Sequence, residues 1–229
     1  MKKITIKKFS LSLITALTLL DQPLYAESAI PVYEEPRHQL AYENDHARIL
    51  NVNLPPGYVS LYHQHKLDML YVTLSGSNVW AEPLGGEKRY ADVETGNLRF
   101  SSDNHGLPHI HRVGNVGKTP FHLIGIAIKD KTAGLKQAIS GDMQGMDLAI
   151  EKPHGHVYRI TLQPGEKTGL HTHHLPFVSV NLSSGTLIDQ KGQMESVSAG
   201  KYQWHDKGLT HHYENSGDEA IEIIELQWR

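Results

Sequence analysis

The chain has 229 residues and a formal net charge of −3, with 22 basic residues scattered among 25 acidic ones, so it shows no electrostatic footprint for nucleic acid. It contains no cysteine, which excludes disulfides, thiolate nucleophiles and cysteine metal ligands and suits an oxidising compartment. Histidine, at 16 residues, is the outlier of the composition.

Residues 1–26 read as an export signal. Lys2, Lys3, Lys7 and Lys8 form the charged start, residues 9–20 the apolar run, and Leu24, Tyr25 and Ala26 the cleavage region. The run is too short for a stable membrane anchor, and no later segment is long and apolar enough to span a bilayer, so no membrane partner is expected after cleavage. The expected location is the periplasm or the exterior. The roughly 200 residues that follow suffice for one large or two small domains.

From residue 43 to 130 short alternating segments are broken by turns. Residues 48–54 place Leu50, Val52 and Leu54 on one face and stop at Pro55, Pro56 and Gly57. Val59, Leu61, His63 and His65 share a face of the next strand, 66–68 turns, 69–74 returns, and Gly76 turns again. Many short strands with frequent turn signals indicate an all-β sandwich or barrel. The second half repeats the pattern: 158–162, then Gly165, then Gly169, His171 and His173 on one face, then 177–182 and Gly185. The closing segments also match, with Asn115 leading into 121–128 and Asn215 into 221–228. From the first glycine through the paired histidines the offset is 108 residues; it becomes 109 at the second glycine and 100 at His111/His211 and Asn115/Asn215. The halves are assigned to 27–130 and 153–229, with the polar stretch 131–152 as linker and one helical turn at 135–139.

A His-x-His pair puts both imidazoles on one strand face, and a third histidine some forty residues on joins them only if the sheet curls back. Two such sets, His63, His65 and His111 and then His171, His173 and His211, read as metal sites of neutral imidazoles. The alternative, histidines satisfied by core hydrogen bonds, is weakened by the duplication. Met69, Tyr71 and Thr73 share the first set's face, and Phe177, Ser179 and Asn181 the second's. The opposite faces, Leu70, Val72 and Leu74 and then Val178, Val180 and Leu182, are apolar too and need a cover: the barrel's own second sheet, the sister barrel or a second subunit in a homodimer. His109, with His105 near it, reads as a proton donor or acceptor beside His111, or as an exposed loop residue. Tyr71 reads as a ligand-contacting hydroxyl or a wall residue, and Trp204 and His205 as a pocket rim or a packed loop. His174 and His212 should face outward. No nucleophile–base arrangement, phosphate loop or nucleotide fingerprint occurs, so no organic cofactor is expected.

These residues resemble the cupin superfamily, and a two-domain bicupin of the quercetin-dioxygenase kind in particular. The family's first motif is matched by Gly57, His63, His65 and Gly76 with Met69 in the glutamate position, and by Gly165, His171, His173 and Gly185 with Phe177 or Val178 there. The second motif is matched by Gly208, His211 and Asn215 and, with a displaced glycine, by His111 and Asn115. The resemblance implies tandem double-stranded β-helix (jelly-roll) barrels and a divalent ion, Fe(II) first, with Zn, Mn, Ni or Cu as alternatives. Both halves lack the motif's acidic ligand, and Asp68, beside the missing position, should point away from the lumen. Three imidazoles leave an ion its full charge and open positions for a small oxygenated compound, so dioxygenase or lyase chemistry is implied. A non-catalytic binding module and a structural cupin are the alternatives.

Overall fold

The computed structural model describes residues 29–102, 109–129, 138–188 and 191–228. The residues read as an export signal, 1–26, and His105 lie outside these. In the first half the strands are β1 (Ile30–Pro31), β2 (His38–Glu43), β3 (Ala47–Leu54), β4 (His63–His65), β5 (Asp68–Ser75), β6 (Ser77–Pro83), β7 (Arg89–Val93), β8 (Leu98–Ser101), β9 (His109–Asn115) and β10 (Phe121–Ile128). In the second they are β11 (Ile139–Gly141), β12 (Met146–Lys152), β13 (Gly155–Leu162), β14 (His171–His173), β15 (Phe177–Asn181), β16 (Gly185–Ile188), β17 (Met194–Val197), β18 (Tyr202–His205), β19 (Thr210–His211), β20 (Glu214–Asn215) and β21 (Ile221–Trp228). Among the described residues no helix is long and apolar enough to cross a membrane.

The duplication read from the histidines extends to the sheets. One sheet of the first half runs β2-β3-β10-β5-β8, and its counterpart runs β12-β13-β21-β15-β18. The histidine-bearing sheet of the first half is β1-β4-β9-β6-β7; in the second half it is split into β11-β14-β19 and β17-β16-β20. Two strands, β11 and β12, fall inside the stretch read as linker, and Ile139 begins a strand where a helical turn was expected. Residues 135–137 of that turn lie outside the described residues. β12 pairs along β13 from Met146 opposite Ile160 to Lys152 opposite Gly155. It is polar because it is an edge strand with one side in solvent, as is β2, so its composition mimics a loop.

Alternation along β5, β10, β15 and β21 makes each strand two-faced. Leu70, Val72, Ile124, Ile126 and Ile128 pack against Val178, Val180, Ile224, Leu226 and Trp228 in one buried cluster that spans both halves. The cover of the outer apolar faces is therefore the sister barrel. Tyr202 Oη donates to the Ala41 carbonyl at 3.0 Å, and the Arg159 guanidinium to that of Gly96, along the same seam. The other faces line two lumens, one packed with Leu50, Val52, Leu54, Leu123 and Phe121, the other with Ile160, Leu162, Ile221 and Ile223.

Asn115 and Asn215, the last repeated residues of the motif, clamp turns rather than reach a lumen. The Asn115 amide donates to the Leu54 and Thr119 carbonyls at 2.8 and 2.9 Å, and its oxygen accepts from Ser77 Oγ and the Gly117 N–H. Asn215 repeats this with the Leu162 and Glu219 carbonyls and the Gly217 N–H. Each side chain replaces backbone partners that the turn cannot supply.

Candidate metal centres

β4 and β9 are antiparallel neighbours with His63 opposite His111 and His65 opposite His109. Strand alternation then gathers His63, His65 and His111, with ring centroids 4.6–5.1 Å apart and one ligand nitrogen from each within 4.8 Å of the others. His63 Nδ1–H donates to the Leu61 carbonyl at 2.9 Å, which leaves the Nε2 lone pair inward; that atom is buried with no hydrogen-bond partner. His65 Nε2 and His111 Nε2 face each other at 3.0 Å. Burial, reinforced by the neighbouring imidazoles, pushes His63 down to about 4, His65 to about 2 and His111 lower still, so all three are neutral at pH 7. Donor atoms around one ion with bonds of ~2 Å lie roughly 3–3.5 Å apart, so this set fits a divalent cation.

No acid joins this centre among the described residues. Met69 occupies the motif's glutamate position, with its sulfur 3.0 Å from His65 Nδ1. Asp68 is buried but is not among the grouped donors. Above the imidazoles lies a cavity of about 160 Å³, lined by His38, Tyr71, Arg99, His109 and apolar residues including Val79 and Phe121. Tyr71 Oη is 3.4 Å from His65 Nδ1, so it touches a ligand as well as the cavity. The His109 ring is 4.5 Å from that of His111.

The second centre differs. His171, His173 and His211 are brought together in the same way, but a fourth donor, Glu225 on β21, completes the group. Its Oε2 lies 3.6 Å from His173 Nε2 and its Oε1 3.8 Å from His211 Nε2, while the two histidine Nε2 atoms are 3.1 Å apart. Glu225 is fully buried; Oε1 accepts from Tyr213 Oη at 2.8 Å, and Oε2 has no partner, nor has His171 Nε2. Burial pushes the carboxyl up to about 8 in the absence of a cation. Backbone and side-chain acceptors again set the tautomers: His171 Nδ1 bonds the Gly169 carbonyl and His173 Nδ1 the Gln227 side chain. Phe177, the counterpart of Met69 in the first barrel, stacks on His173 at 3.7 Å and on His205 at 4.2 Å.

The structure corrects the reading that both halves lack an acidic ligand. The acid has moved to the adjacent strand, where Glu225 pairs with Ser179 of β15. Its counterpart in the first half, 100 residues earlier, is Gly125, where an added Cβ would sit 3.2 Å from Met69 Cε. One signal was present: alternation along 221–228 puts Glu225 on the lumen face with Ile221 and Ile223. Of the remaining expectations, His174 is exposed and His212 half-buried. Trp204 packs on Trp228 in the seam, whereas His205 turns inward and its Nε2 meets Ser179 Oγ at 3.0 Å. Asn181 is buried on β15 and its backbone bonds Lys201 and Gly200.

The depressed histidines imply a pH dependence of the metal-free protein. Unfolded imidazoles take up protons near pH 6.5, while His63, His173 and His205 resist until about 4. The unfolded state therefore binds more protons below pH 6.5, and stability falls with acid by about 1.4 kcal/mol per pH unit for each histidine. Thermal melts of chelator-treated protein should show a steep decline in Tm from pH 6.5 to 5, where the depressed histidines outnumber the one opposing carboxyl, Glu225. A constant Tm across the lower range would contradict the burial argument.

No protein-family model matches the chain, and no curated protein matches it significantly. Solved structures do. AerE from Microcystis aeruginosa aligns with TM-score 0.58 at 11% identity, covering 85% of this chain and 98% of that one. A cupin 2 conserved barrel domain protein from Leptotrichia buccalis aligns at 0.51 and 12%, covering 82% and 86%. Salicylate 1,2-dioxygenase from Pseudoaminobacter salicylatoxidans, as its gentisate adduct, aligns at 0.57 and 11%, covering 81% and 69%. The chain thus has the cupin fold, in two copies, each with a buried histidine group able to hold a metal ion.

Proposed function

We propose that this chain is an exported, metal-dependent cupin enzyme whose first barrel binds and transforms a small oxygenated organic compound. The observation that carries this reading is the contrast between the barrels. In the first, three imidazoles without an acid open onto a cavity, whereas in the second Glu225 joins the donor group and Phe177 stacks on His173. The second centre is then a four-donor site that holds its ion without substrate. Export rests on the charged and apolar pattern of residues 1–26. The gentisate bound by the similarly folded salicylate dioxygenase supports a small oxygenated compound as the substrate class.

A divalent ion at His63, His65 and His111, Fe(II) first, supplies Lewis acidity or oxygen activation. The chain's own residues do the rest. The apolar walls exclude water from the compound's body. Arg89 and Arg99 line the same cavity and favour an anion. His109, held neutral at pH 7 by burial and by Arg99, offers one nitrogen as donor and one as acceptor at the ion's side. Tyr71 keeps its proton, pushed up to about 12 by burial, and serves as a hydrogen-bond donor.

Elemental analysis and oxygen uptake test the reading. Wild-type protein should hold two ions per chain, and His63→Ala and His171→Ala one each. Turnover with a panel of phenolic, thiol and dicarbonyl compounds should vanish in His63→Ala. A fully loaded protein that turns over none of them is instead a binding module.

A further inference from the structure

A fourth imidazole faces the first centre from the opposite sheet. His38 sits on the edge strand β2, opposite Val52, and is 6% exposed. It lines the cavity, and its ring lies 4.6 Å from that of His63. It is not among the grouped ligand donors. What holds it is a buried carboxylate: Glu35 Oε2 is 2.5 Å from His38 Nδ1 and also accepts the Arg37 N–H at 2.7 Å, while Glu35 Oε1 accepts Tyr58 Oη at 2.8 Å. An acceptor-only carboxylate binds Nδ1–H, so in the neutral imidazole Nε2 is the acceptor nitrogen. Among the described residues Nε2 has no hydrogen-bond partner.

A purely structural residue on an edge strand does not need a buried carboxylate with three donors to aim it. We propose that His38 is a substrate-contacting residue whose Nε2 accepts a hydrogen bond from a hydroxyl of the bound compound. Glu35 and Tyr58 are its positioning residues. With Arg89 and Arg99 on the same cavity, the ligand class is a hydroxylated carboxylate with an apolar body. The inference rests on the first barrel being the substrate site and names what that site selects.

The test uses cobalt-loaded full-length protein and two probes, mandelate and its O-methyl ether, which differ in a single hydroxyl proton. Binding is read from the visible Co(II) bands, with His63→Ala identifying the first centre's contribution. Wild type should bind mandelate about tenfold more tightly than the ether, the effect of one hydrogen bond to an acceptor in a largely apolar cavity. His38→Asn keeps a donor to Glu35 but not the reach of Nε2, and should bind both probes equally. His38→Gln, whose amide reaches the Nε2 position, should recover part of the preference. Equal binding by wild type, an unchanged preference in His38→Asn, or cobalt bands at the first centre that neither probe moves would each overturn the role of His38 and leave the metal reading standing. Cobalt content unaffected by His63→Ala would sink both.

Discussion

Glu225→Gln is expected to empty the second centre while the first stays loaded, taking the protein from two ions per chain to one. The carboxylate is the only charged donor among the four grouped there, and the amide that replaces it can offer at most a neutral oxygen. Changing residues that merely support ligands commonly weakens metal affinity 10–100-fold, so loss of a direct anionic ligand should weaken it at least about 100-fold. Chelator competition followed by elemental analysis measures this. The same substitution should raise the metal-free protein's Tm at pH 7, because glutamine fits the space, can keep the Tyr213 hydroxyl bonded and removes the cost of protonating a carboxyl that burial pushes up to about 8. Retention of both ions at wild-type affinity would show that Glu225 is no ligand and that the second centre matches the first. Oxygen uptake should persist in this variant, since the open cavity belongs to the other barrel.

Trp228→Ala should cost about 3–5 kcal/mol, the range for deleting a buried aromatic side chain. Trp228 is 1% exposed, packs with Trp204 at 5.4 Å, and belongs to the cluster that joins both barrels. Its loss leaves a void in the seam. The two halves would then unfold with less coupling, broadening the single transition that a shared core enforces. Trp228→Phe should be far milder, since the indole Nε1 is itself buried without a partner and its removal offsets part of the lost packing. Calorimetry distinguishes the outcomes: one sharp transition for wild type and Trp228→Phe, a lowered and broadened one for Trp228→Ala. If alanine proved no worse than phenylalanine, the seam would not be the main contact between the barrels.

The parts of this protein legible from the chain alone are those governed by short-range periodicity. Alternation through His63 and His65, and again through His171 and His173, sets their faces without reference to any partner strand. Repetition at a near-constant offset then implies two copies of one barrel, and the apolar outer faces of residues 69–74 and 177–182 require a cover. Which cover is used depends on how the two sheets meet, and only the packed structure brings Val72 and Ile126 against Val180 and Leu226. The edge strand β12 escaped notice because a strand with one side in water carries the polar composition of a loop.

The chemistry of the two centres was decided almost wholly by cross-strand register. Glu225 lies 14 residues beyond His211, outside any motif spacing, and reaches the histidines because β21 runs beside β15. His38 lies 25 residues before His63 and faces it because β2 closes the opposite sheet over the lumen. Linear spacing encodes which side of its own strand a residue occupies; which residues meet across a lumen is a property of sheet pairing. The six histidines could therefore be read from the sequence, whereas alternation gave only the lumen face of Glu225, and its place in one centre and the dyad that overlooks the other came from sheet pairing.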